Sequence, residues 1–414
     1  MASVVDNFKD SKSKTLLSLF LILPITLIIG SAASNATVLL INFFFIFEIF
    51  KEKKLNYLNN KLFYILIFIW FCLLTNSIII ANNTESLTRS FGFLRFIFLI
   101  FALKYVLESN ERFTKNFILQ SWFIIFIIVT IDVLIEFFTG TNTLGFSSNY
   151  NGRIASFTGD ELKIGNYYFG FILISLSFFY EKYFQKYQFL FYLLIFSFLL
   201  TSFFIGERSN FIKVFLISVI FIFLINNQNI FRKVLILALL FLISYITILN
   251  NVSFHSRFIV ELINPLKEKG ISKVISDSQY GKHYEIAQKI YKNNKIFGVG
   301  IKNYRIASAD PKYNTNENLY GVANHPHQIH YEILSETGIV GYFIFIIFFI
   351  SSVVIGFKNF FKNKNPYILS STLFILATAL PFIPSGSFFT SYGATIFWIN
   401  YAFLFTNIHN INLK

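Results

Sequence analysis

The sequence predicts an all-α integral membrane protein that crosses the bilayer many times. Of its 414 residues, 55% are hydrophobic and only 14% are charged, and the mean hydropathy is +0.60. A soluble chain would have about a quarter of its residues charged. Long apolar runs such as LLSLFLILPITLIIG and YFIFIIFFISSVVIGF recur along the chain. Such runs suit the ~30 Å hydrocarbon core of a bilayer, which a helix of roughly 20 apolar residues crosses.

About twelve membrane-spanning helices are predicted, each from an apolar stretch between polar loops. Their ranges in chain order are 15–33, 36–50, 62–81, 91–107, 117–138, 164–180, 188–205, 211–226, 234–249, 329–357, 367–383 and 392–408. The first stretch has no convincing small-residue cleavage site and other stretches follow closely, so we interpret it as a span and not as a cleavable signal. The single cysteine, Cys72, lies in a span, so no internal disulfide can form.

Basic residues predict how these helices are oriented. They cluster in alternate loops, on the same side as the N-terminal tail: KEKKLNYLNNK (51–61), the turn 104–115, EKYFQKY (181–187), FRK (231–233) and FKNFFKNK (357–364). The short loops on the other side contain only Arg89, Arg153, Lys163 and Arg208. By the positive-inside rule the first side is cytoplasmic, and so are both termini. The net charge of +14 therefore reflects membrane topology, and we predict a lipid bilayer and no nucleic acid as the partner.

Two outer segments, 139–163 and 250–328, are too long to be simple connections. The second contains YGKHYEIAQKIYKNN, whose amphipathic pattern places four residues on one face of a helix: Tyr284, Ala287, Ile290 and Tyr291. A glycine-containing turn, KIFGVGIKNYR, follows it. We therefore expect a partly helical extracytoplasmic subdomain before the tenth span. The predicted division of the chain is an N-terminal bundle of about nine spans (1–249), the loop subdomain (250–328) and about three C-terminal spans (329–414).

Charged and titratable residues collect on the predicted outer face. They are Arg153, Arg208 in the turn GERSN, Arg305, His283, and the cluster His325, His327 and His330. Arg95 lies inside the fourth span, about one turn from its outer end, where a charge is costly enough to indicate function. Arginine forks match phosphate oxygens, so we interpret these arginines as a cationic site for a lipid-borne phosphate or diphosphate. The alternative is that they contact lipid headgroups or pair locally, as Arg208 could with Glu207.

Three blocks of the sequence resemble the O-antigen ligase and O-antigen polymerase family of bacterial envelope glycosyltransferases. HPHQIHYEILSETGIVGYF is similar to the family's HPHN-type motif followed by a Glu-x-Gly-x-x-Gly helix start. YGKHYEIAQKIYKNNKIFGVGIKNYR resembles its helix, glycine turn and Phe-Arg segment, and NGRIASFTGDELKIGNYY resembles an arginine-containing outer loop before a span. The chain departs from the family in two respects: Gln328 stands where asparagine is usual, and no cysteines flank the outer loop.

This resemblance implies an enzyme of the bacterial inner membrane whose active site faces the periplasm. Such enzymes move a glycan from undecaprenyl diphosphate to the hydroxyl of an acceptor sugar. A ligase uses the lipid A–core sugar of lipopolysaccharide as acceptor, and a polymerase uses another lipid-linked repeat unit. The sequence leaves both activities open.

The residues of the outer face suit this chemistry. A sugar hydroxyl is a poor nucleophile that gains from a base with a pKa near neutrality, which indicates histidine. His327 coincides with the motif histidine and is the predicted catalytic base. Fixed cations stabilise a leaving diphosphate, so we expect single displacement with inversion and without a metal or other cofactor. The predicted diphosphate-binding residues are Arg208, Arg305, Arg153 and Arg95, and the predicted supporting residues are His325, His283 and Glu336. Because Pro326 restricts the backbone of His325, His325 and His327 are expected to point in different directions.

The same residues allow other interpretations. His325, His327 and His330, with Glu336, could form a transition-metal site, or the histidines could be interfacial residues bonded to the loop. Gly298 and Gly300 are too closely spaced for a dinucleotide fingerprint and predict a turn. A transporter of polysaccharide or lipid-linked substrates is the alternative from another class, although no inverted repeat is evident.

Overall fold

The computed structural model describes residues 14–108, 112–159, 161–226, 230–314 and 322–406. Within these ranges 80% of the chain is helical and no strand forms, which confirms the all-α prediction. The basic N-terminal tail and the segment 315–321 of the long outer loop lie outside the described residues.

Sixteen α-helices form within the described ranges. In chain order they are α1 (Lys14–Ile29), α2 (Ser31–Lys51), α3 (Lys61–Asn76), α4 (Thr84–Glu108), α5 (Arg112–Thr139), α6 (Ile164–Tyr183), α7 (Gln188–Phe204), α8 (Arg208–Ile225), α9 (Ile230–Asn250), α10 (Val252–His255), α11 (Asn264–Asp277), α12 (Gln279–Asn293), α13 (Tyr304–Ala307), α14 (Ile329–Asn363), α15 (Pro366–Thr378) and α16 (Ser391–Ala402). π-Helical turns extend α3 through Ser77–Ala81 and join α10 to α11 through Ser256–Ile263.

Each of the twelve predicted spans overlaps one of these helices. Within the described residues, seven helices are long and apolar enough to cross a membrane: α2, α3 with its extension, α4, α5, α8, α9 and α14. Three further apolar helices, α1, α7 and α15, are shorter than 18 residues. The structure therefore supports a multi-pass membrane protein with seven candidate spans, and the count of twelve stays a prediction.

Side-chain caps fix where several helices begin. The Asn60 side chain accepts a hydrogen bond from the Phe63 amide (3.0 Å) at the start of α3. Asn365 caps α15, whose first residue is Pro366, a residue that suits the first helical turn because it needs no N–H partner there. Gln328 caps α14 by accepting from the amides of His330 (2.7 Å) and Tyr331 (3.1 Å). Gln328, at the position where asparagine is usual, thus still provides a side-chain amide that caps the start of the helix.

Helices α6 and α16 occupy the centre of the bundle. Nearly every residue of both is buried, whereas α9 exposes most of its apolar residues. Gly170 lets the two central helices touch, because a side chain there would collide with Ile396, and the Asn400 amide donates to the Gly170 carbonyl (3.0 Å). The N-terminal ends of α6 and α16 consequently lie in the middle of one end of the bundle.

The segment between α9 and α14 packs on that same end. Its small core consists of apolar residues from α12, α13 and the turn after α13: Ile286, Ala287, Ile290, Tyr304, Ala307 and Tyr313. Helix α12 coincides with the predicted amphipathic helix, but its buried face is centred on His283, Ile286, Ala287 and Ile290. The predicted face is therefore wrong at Tyr284 and Tyr291, which are only partly buried.

Helix α14 is kinked at Gly338, where φ is 64° and ψ is −166°. The kink breaks the internal hydrogen bonds of the helix, and the loop after α12 replaces them. The amides of Val299 and Gly300, in the predicted glycine turn, donate to the carbonyls of Ser335 (3.0 Å) and Glu336 (2.8 Å). In return, the Ile339 amide donates to the Lys295 carbonyl (2.8 Å). This exchange attaches the outer segment to the helix that follows the histidine cluster.

Candidate active site

A cavity of ≈ 680 Å³ opens at the end of the bundle where α6, α8, α14 and α16 begin. Its polar wall combines cations, two histidines, a tyrosine and a carboxylate: Arg89, Arg153, Lys163, Arg208, Lys213, Arg257, His325, His327, Tyr280 and Glu207. The loop 384–390, between α15 and α16, and the first turn of α16 close another side. These residues come from loops and helix ends that the charge pattern of the sequence predicts to lie on a single side of the membrane.

His327 is the most constrained histidine of the cavity. Its backbone is left-handed, with φ 56°, a conformation that costs of order 1–3 kcal/mol for a residue other than glycine. The Ser385 amide donates to its carbonyl (2.8 Å) and helps to hold this conformation. Strained residues of this kind cluster at functional sites, so the strain marks His327 as a candidate.

Three aromatic rings surround the His327 imidazole. Ring centroids lie 4.1 Å away for His325, 5.3 Å for His283 and 5.5 Å for Tyr280. The expectation that His325 and His327 point in different directions is therefore wrong. The restriction that Pro326 imposes on the preceding residue is not decisive here, because the left-handed backbone at His327 turns its ring back onto His325.

Both cavity histidines are neutral near pH 7. Burial, followed by the neighbouring histidines and Lys302, lowers the pKa of His325 from 6.5 to about 3. Burial, followed by the charge of His283, lowers the pKa of His327 from 6.5 to about 4. A neutral imidazole has a free lone pair, so His327 is in the protonation state that a general base requires.

Three arginines that line the cavity, Arg153, Arg208 and Arg257, gather around a junction of two loops. The Ile154 amide donates to the Ile205 carbonyl (3.1 Å), and Gly206, with φ 76°, has no room for a side chain beside the Gly152 carbonyl. This close approach brings Arg153 next to the turn that contains Arg208. The predicted turn GERSN therefore needs its glycine, since another residue would be strained and would push the loops apart.

The guanidinium groups of Arg208 and Arg257 are held by backbone carbonyls. Arg208 donates to the Arg257 carbonyl (2.8 Å), and Arg257 donates to the Gly206 carbonyl (2.9 Å). Arg208 also pairs with Glu261 (3.7 Å) and not with Glu207. Arg257 is only 9% exposed. The positive charges are thus fixed in place before any substrate binds, which is what electrostatic stabilisation of a leaving group requires.

Glu207 is the carboxylate of this wall. It accepts a hydrogen bond from the side-chain amide of Asn210 (2.5 Å). Burial raises its pKa, and the Asn210 hydrogen bond and the charges of Arg153 and Arg257 counteract that effect. Because it partly balances the arginines, Glu207 limits the repulsion among them.

Four of the predicted site residues do not line this cavity: His283, Arg305, Glu336 and Arg95. His283 is buried and packs its ring on His327. Arg305 is 43% exposed and forms an ion pair with Glu85 at the start of α4. Glu336 is fully buried and accepts from the Tyr304 amide (3.3 Å), so it supports the loop after α12. Arg95 donates to the Ser391 hydroxyl (2.9 Å). The prediction that Arg95 lies one turn from the helix end is wrong, because α4 begins at Thr84, about three turns earlier.

The remaining histidine of the cluster has a structural environment. His330 is hydrogen-bonded to the Tyr342 hydroxyl (3.2 Å) and the Ala379 carbonyl (2.8 Å) and does not line the cavity in the described part of the chain. Among the described residues, no group of three or more His, Cys, Asp or Glu residues is arranged to hold a metal ion.

Sequence reasoning missed several cavity residues, chiefly Lys213, Arg257 and Tyr280. Lys213 could have been found, because it is a lysine inside the predicted span 211–226, and charges within spans indicate function. Arg257 and Tyr280 have no such signal, since they lie in a long loop with many other charged and aromatic residues.

Comparison with known proteins gives one family match. No curated protein matches the chain. Residues 189–346 match the family model described as O-antigen ligase; this region runs from α7 into α14 and contains Arg208, Arg257, His325 and His327. The family comprises membrane enzymes of the O-antigen ligase and polymerase type. The match confirms the resemblance found in the sequence motifs, and over residues 189–346 it supports the O-antigen ligase family for this chain.

Proposed function

We propose that this protein is a glycosyltransferase that moves a glycan from undecaprenyl diphosphate to the hydroxyl of an acceptor sugar, with lipid A–core as the acceptor. One observation carries the proposal: a partly buried, neutral histidine, His327, shares a cavity with three arginines, of which Arg208 and Arg257 are held by backbone carbonyls. The family match supports a lipid-linked glycan as substrate. The proposed location is the bacterial inner membrane, with both termini cytoplasmic and the cavity on the periplasmic face.

In this proposal the three arginines of the cavity bind the diphosphate of the donor. Arg153, Arg208 and Arg257 supply the positive charge, and Lys213 lines the same cavity. As the bond between the sugar carbon and the diphosphate oxygen breaks, its electron pair passes to that oxygen, and the arginines stabilise the developing charge. The reaction therefore needs neither ATP nor a protonated leaving group, and Arg305 and Arg95 take no direct part in holding this diphosphate.

His327 takes the proton of the acceptor hydroxyl as its oxygen attacks the sugar carbon. The attack comes from the face opposite the diphosphate, so the anomeric centre is inverted. His325, His283 and Tyr280 pack around His327 and fix its orientation. A bound diphosphate raises the pKa of His327, because a nearby anion favours the protonated imidazole, and so makes it a stronger base.

The proposal is tested by measuring glycan transfer with the purified protein, a lipid diphosphate-linked glycan and a lipid A–core acceptor. His327→Ala should lower the rate by about 10²–10⁴-fold, the usual contribution of a general base, while donor binding is kept. His330→Ala is the matched control and should keep most of the rate. Transfer should persist in EDTA. A His327→Ala protein that transfers glycan at close to the wild-type rate contradicts the mechanism.

A repeat-unit polymerase of the same family is the alternative, because its chemistry at the reacting bond is identical. Lipopolysaccharide from a deletion strain distinguishes the two. Loss of all O-antigen bands with polymer remaining on its lipid carrier indicates a ligase, and a core with a single repeat indicates a polymerase.

A further inference from the structure

A second, smaller cavity of ≈ 370 Å³ adjoins the active-site cavity. The two share the wall formed by Asn35, Arg89 and Ser391. The smaller one is completed by residues of α4: Thr84, Glu85, Thr88 and Arg95. None of Arg153, Arg208 and Arg257 lines it, so it is a separate group of charges that shares one wall with the first cavity.

Two guanidinium groups converge in this cavity on one hydroxyl. Arg95 donates to Ser391 Oγ at 2.9 Å and Arg89 donates to the same atom at 3.2 Å. Among the described residues neither arginine pairs with a carboxylate, since Glu85 is engaged by Arg305. The Nε atom of Arg95 is also buried without a hydrogen-bond partner in the described part of the chain. Positive charge at this depth is costly without a counter-charge.

The local sequence provides space for the Arg95 side chain. At Gly92, one turn earlier on α4, a side chain would lie 2.6 Å from the Arg95 guanidinium. The guanidinium also lies over the Phe96 ring, with its carbon 4.6 Å from the ring centroid. These contacts direct Arg95 toward Ser391 and into the protein, so it does not extend along the helix to the lipid headgroups.

We propose that the Arg89–Arg95 cavity is an acceptor subsite that binds an anionic group, a phosphate or carboxylate, carried by the acceptor glycan. This inference rests on the proposed function. Transfer needs two substrates at once, and the three arginines of the larger cavity provide for the donor diphosphate. Arg89 forms part of the shared wall and Arg95 lines only the smaller cavity, so an acceptor held by this pair adjoins the cavity that contains His327. Arginine pairs recognise phosphate and carboxylate groups through paired hydrogen bonds.

The test compares two acceptors that differ only in charge: a glycolipid with a phosphate on its outer sugar, and the same glycolipid after phosphatase treatment. A carboxylate-bearing glycolipid forms a third arm that separates the two anions. For Arg95→Gln we expect the KM for the phosphorylated acceptor to rise about tenfold or more, the usual worth of a hydrogen bond to a charged group. The donor KM and the rate with the neutral acceptor should stay at their wild-type values.

Two further variants complete the experiment. Gly92→Ala retains both charges but displaces the Arg95 guanidinium, and it should raise the same acceptor KM. Arg232→Gln, an exposed arginine in α9, is the matched control and should change neither KM. The unchanged rate with the neutral acceptor shows that each variant is folded.

The outcomes separate this inference from the function on which it rests. If Arg95→Gln raises the donor KM and leaves the acceptor KM unchanged, the cavity belongs to the donor and the inference is wrong. Equal effects on the charged and neutral acceptors also overturn it. If the wild-type protein transfers no glycan to any acceptor, the proposed function itself fails.

Discussion

Both terminal nitrogens of the Arg208 guanidinium group have a partner. One terminal nitrogen donates to the Arg257 carbonyl, and the other faces Glu261. A lysine has a single ammonium group and cannot form both contacts. Position 208 therefore requires the planar fork as well as the positive charge.

Arg208→Lys is accordingly expected to be nearly as damaging as Arg208→Ala. Loss of one charge-assisted contact corresponds to about a tenfold to hundredfold loss of rate, and the retained charge restores little of it because it is no longer held against the Arg257 carbonyl. Steady-state transfer rates of the two variants test this, with Arg232→Lys as the control. A near-normal Arg208→Lys enzyme would mean that the site needs only a general cation.

The two partly buried histidines of the cavity, His325 and His327, make the stability of the protein depend on pH. In the unfolded chain a histidine takes up a proton near pH 6.5, whereas His325 in the folded protein does so only at about 3. Between these values the unfolded state binds the extra proton, so the folded state loses stability as the pH falls below about 6.5.

We therefore expect His325→Gln to reduce the decline in melting temperature between pH 7 and pH 5, because glutamine has no proton to gain. The measurement is a thermal unfolding curve of the detergent-solubilised protein at each pH. His327→Gln should act in the same direction, since the pKa of His327 is also lowered. Variants that decline as steeply as the wild type would show that the two rings are already accessible to protons when folded.

At the scale of residues, the sequence predicts that several cavity residues lie on one face although they are far apart in the chain. Arg153, Arg208 and His327 are far apart in the chain, and the predicted topology places them on one face because basic loops alternate. Residue contacts are harder to predict. One left-handed backbone angle at His327 decides that its ring meets His325, and the preceding proline does not reveal that angle.

The Gly338 kink is the element that joins the outer segment to the bundle. The amides and carbonyls released by the kink pair with the backbone between Lys295 and Gly300. Two buried carboxylates just before the kink strengthen this junction: Glu332 accepts from the Phe388 amide (2.7 Å) and Glu336 accepts from the Tyr304 amide. Both the outer segment and the loop that borders the cavity are therefore fixed to α14.

Gly338→Ala should destabilise this junction. The observed backbone angles are open almost only to glycine, and a strained residue costs of order 1–3 kcal/mol. A methyl group would also collide with the Ile296 carbonyl. We expect a lower melting temperature and a lower transfer rate.

Gly386→Ala is the matched control for the melting temperature. Gly386 has no left-handed angle, and a methyl group there would meet no described atom within 4 Å. If the two variants melt at the same temperature, the kink is not under the constraint inferred from its backbone.

Hydropathy predicts the existence of the helices better than their ends. Helix α4 begins at Thr84 and not at 91, because its first turns, TESLTRS, are polar and extend beyond the apolar stretch. Asn83 marks the true start, since its side chain accepts from the Ser86 amide (2.9 Å). Helix α15 ends at Thr378 and not at the predicted residue 383. Pro381 and Pro384 follow this helix end in the loop.

For the whole molecule, the central prediction is that both cavities face the periplasm. Every cavity residue lies at the end of the bundle opposite the lysine-rich loops. A reporter that works only after export should be active when fused at Asn151, and a reporter that works only in the cytoplasm should be active at Lys364. Cytoplasmic activity at Asn151 would reverse the orientation and place the site on the wrong side for the proposed donor.

The overall fold follows from the sequence because apolar runs and alternating charge are global patterns that tolerate local error. The number of true spans does not follow in the same way. Helices α1, α7 and α15 are apolar but short, and whether a short helix crosses depends on its neighbours and on the local thickness of the bilayer.

The size of the active-site cavity limits what the enzyme can recognise. A space of ≈ 680 Å³ is typical of pockets that enclose a drug-sized ligand. In the proposed reaction the diphosphate and the sugars nearest to the reacting carbon fill it, and every further repeat unit of a long glycan lies outside. Short and long glycans then present the same reducing end to His327. Transfer would not depend on the number of repeat units in the glycan. The product would therefore have the same length distribution as the donor.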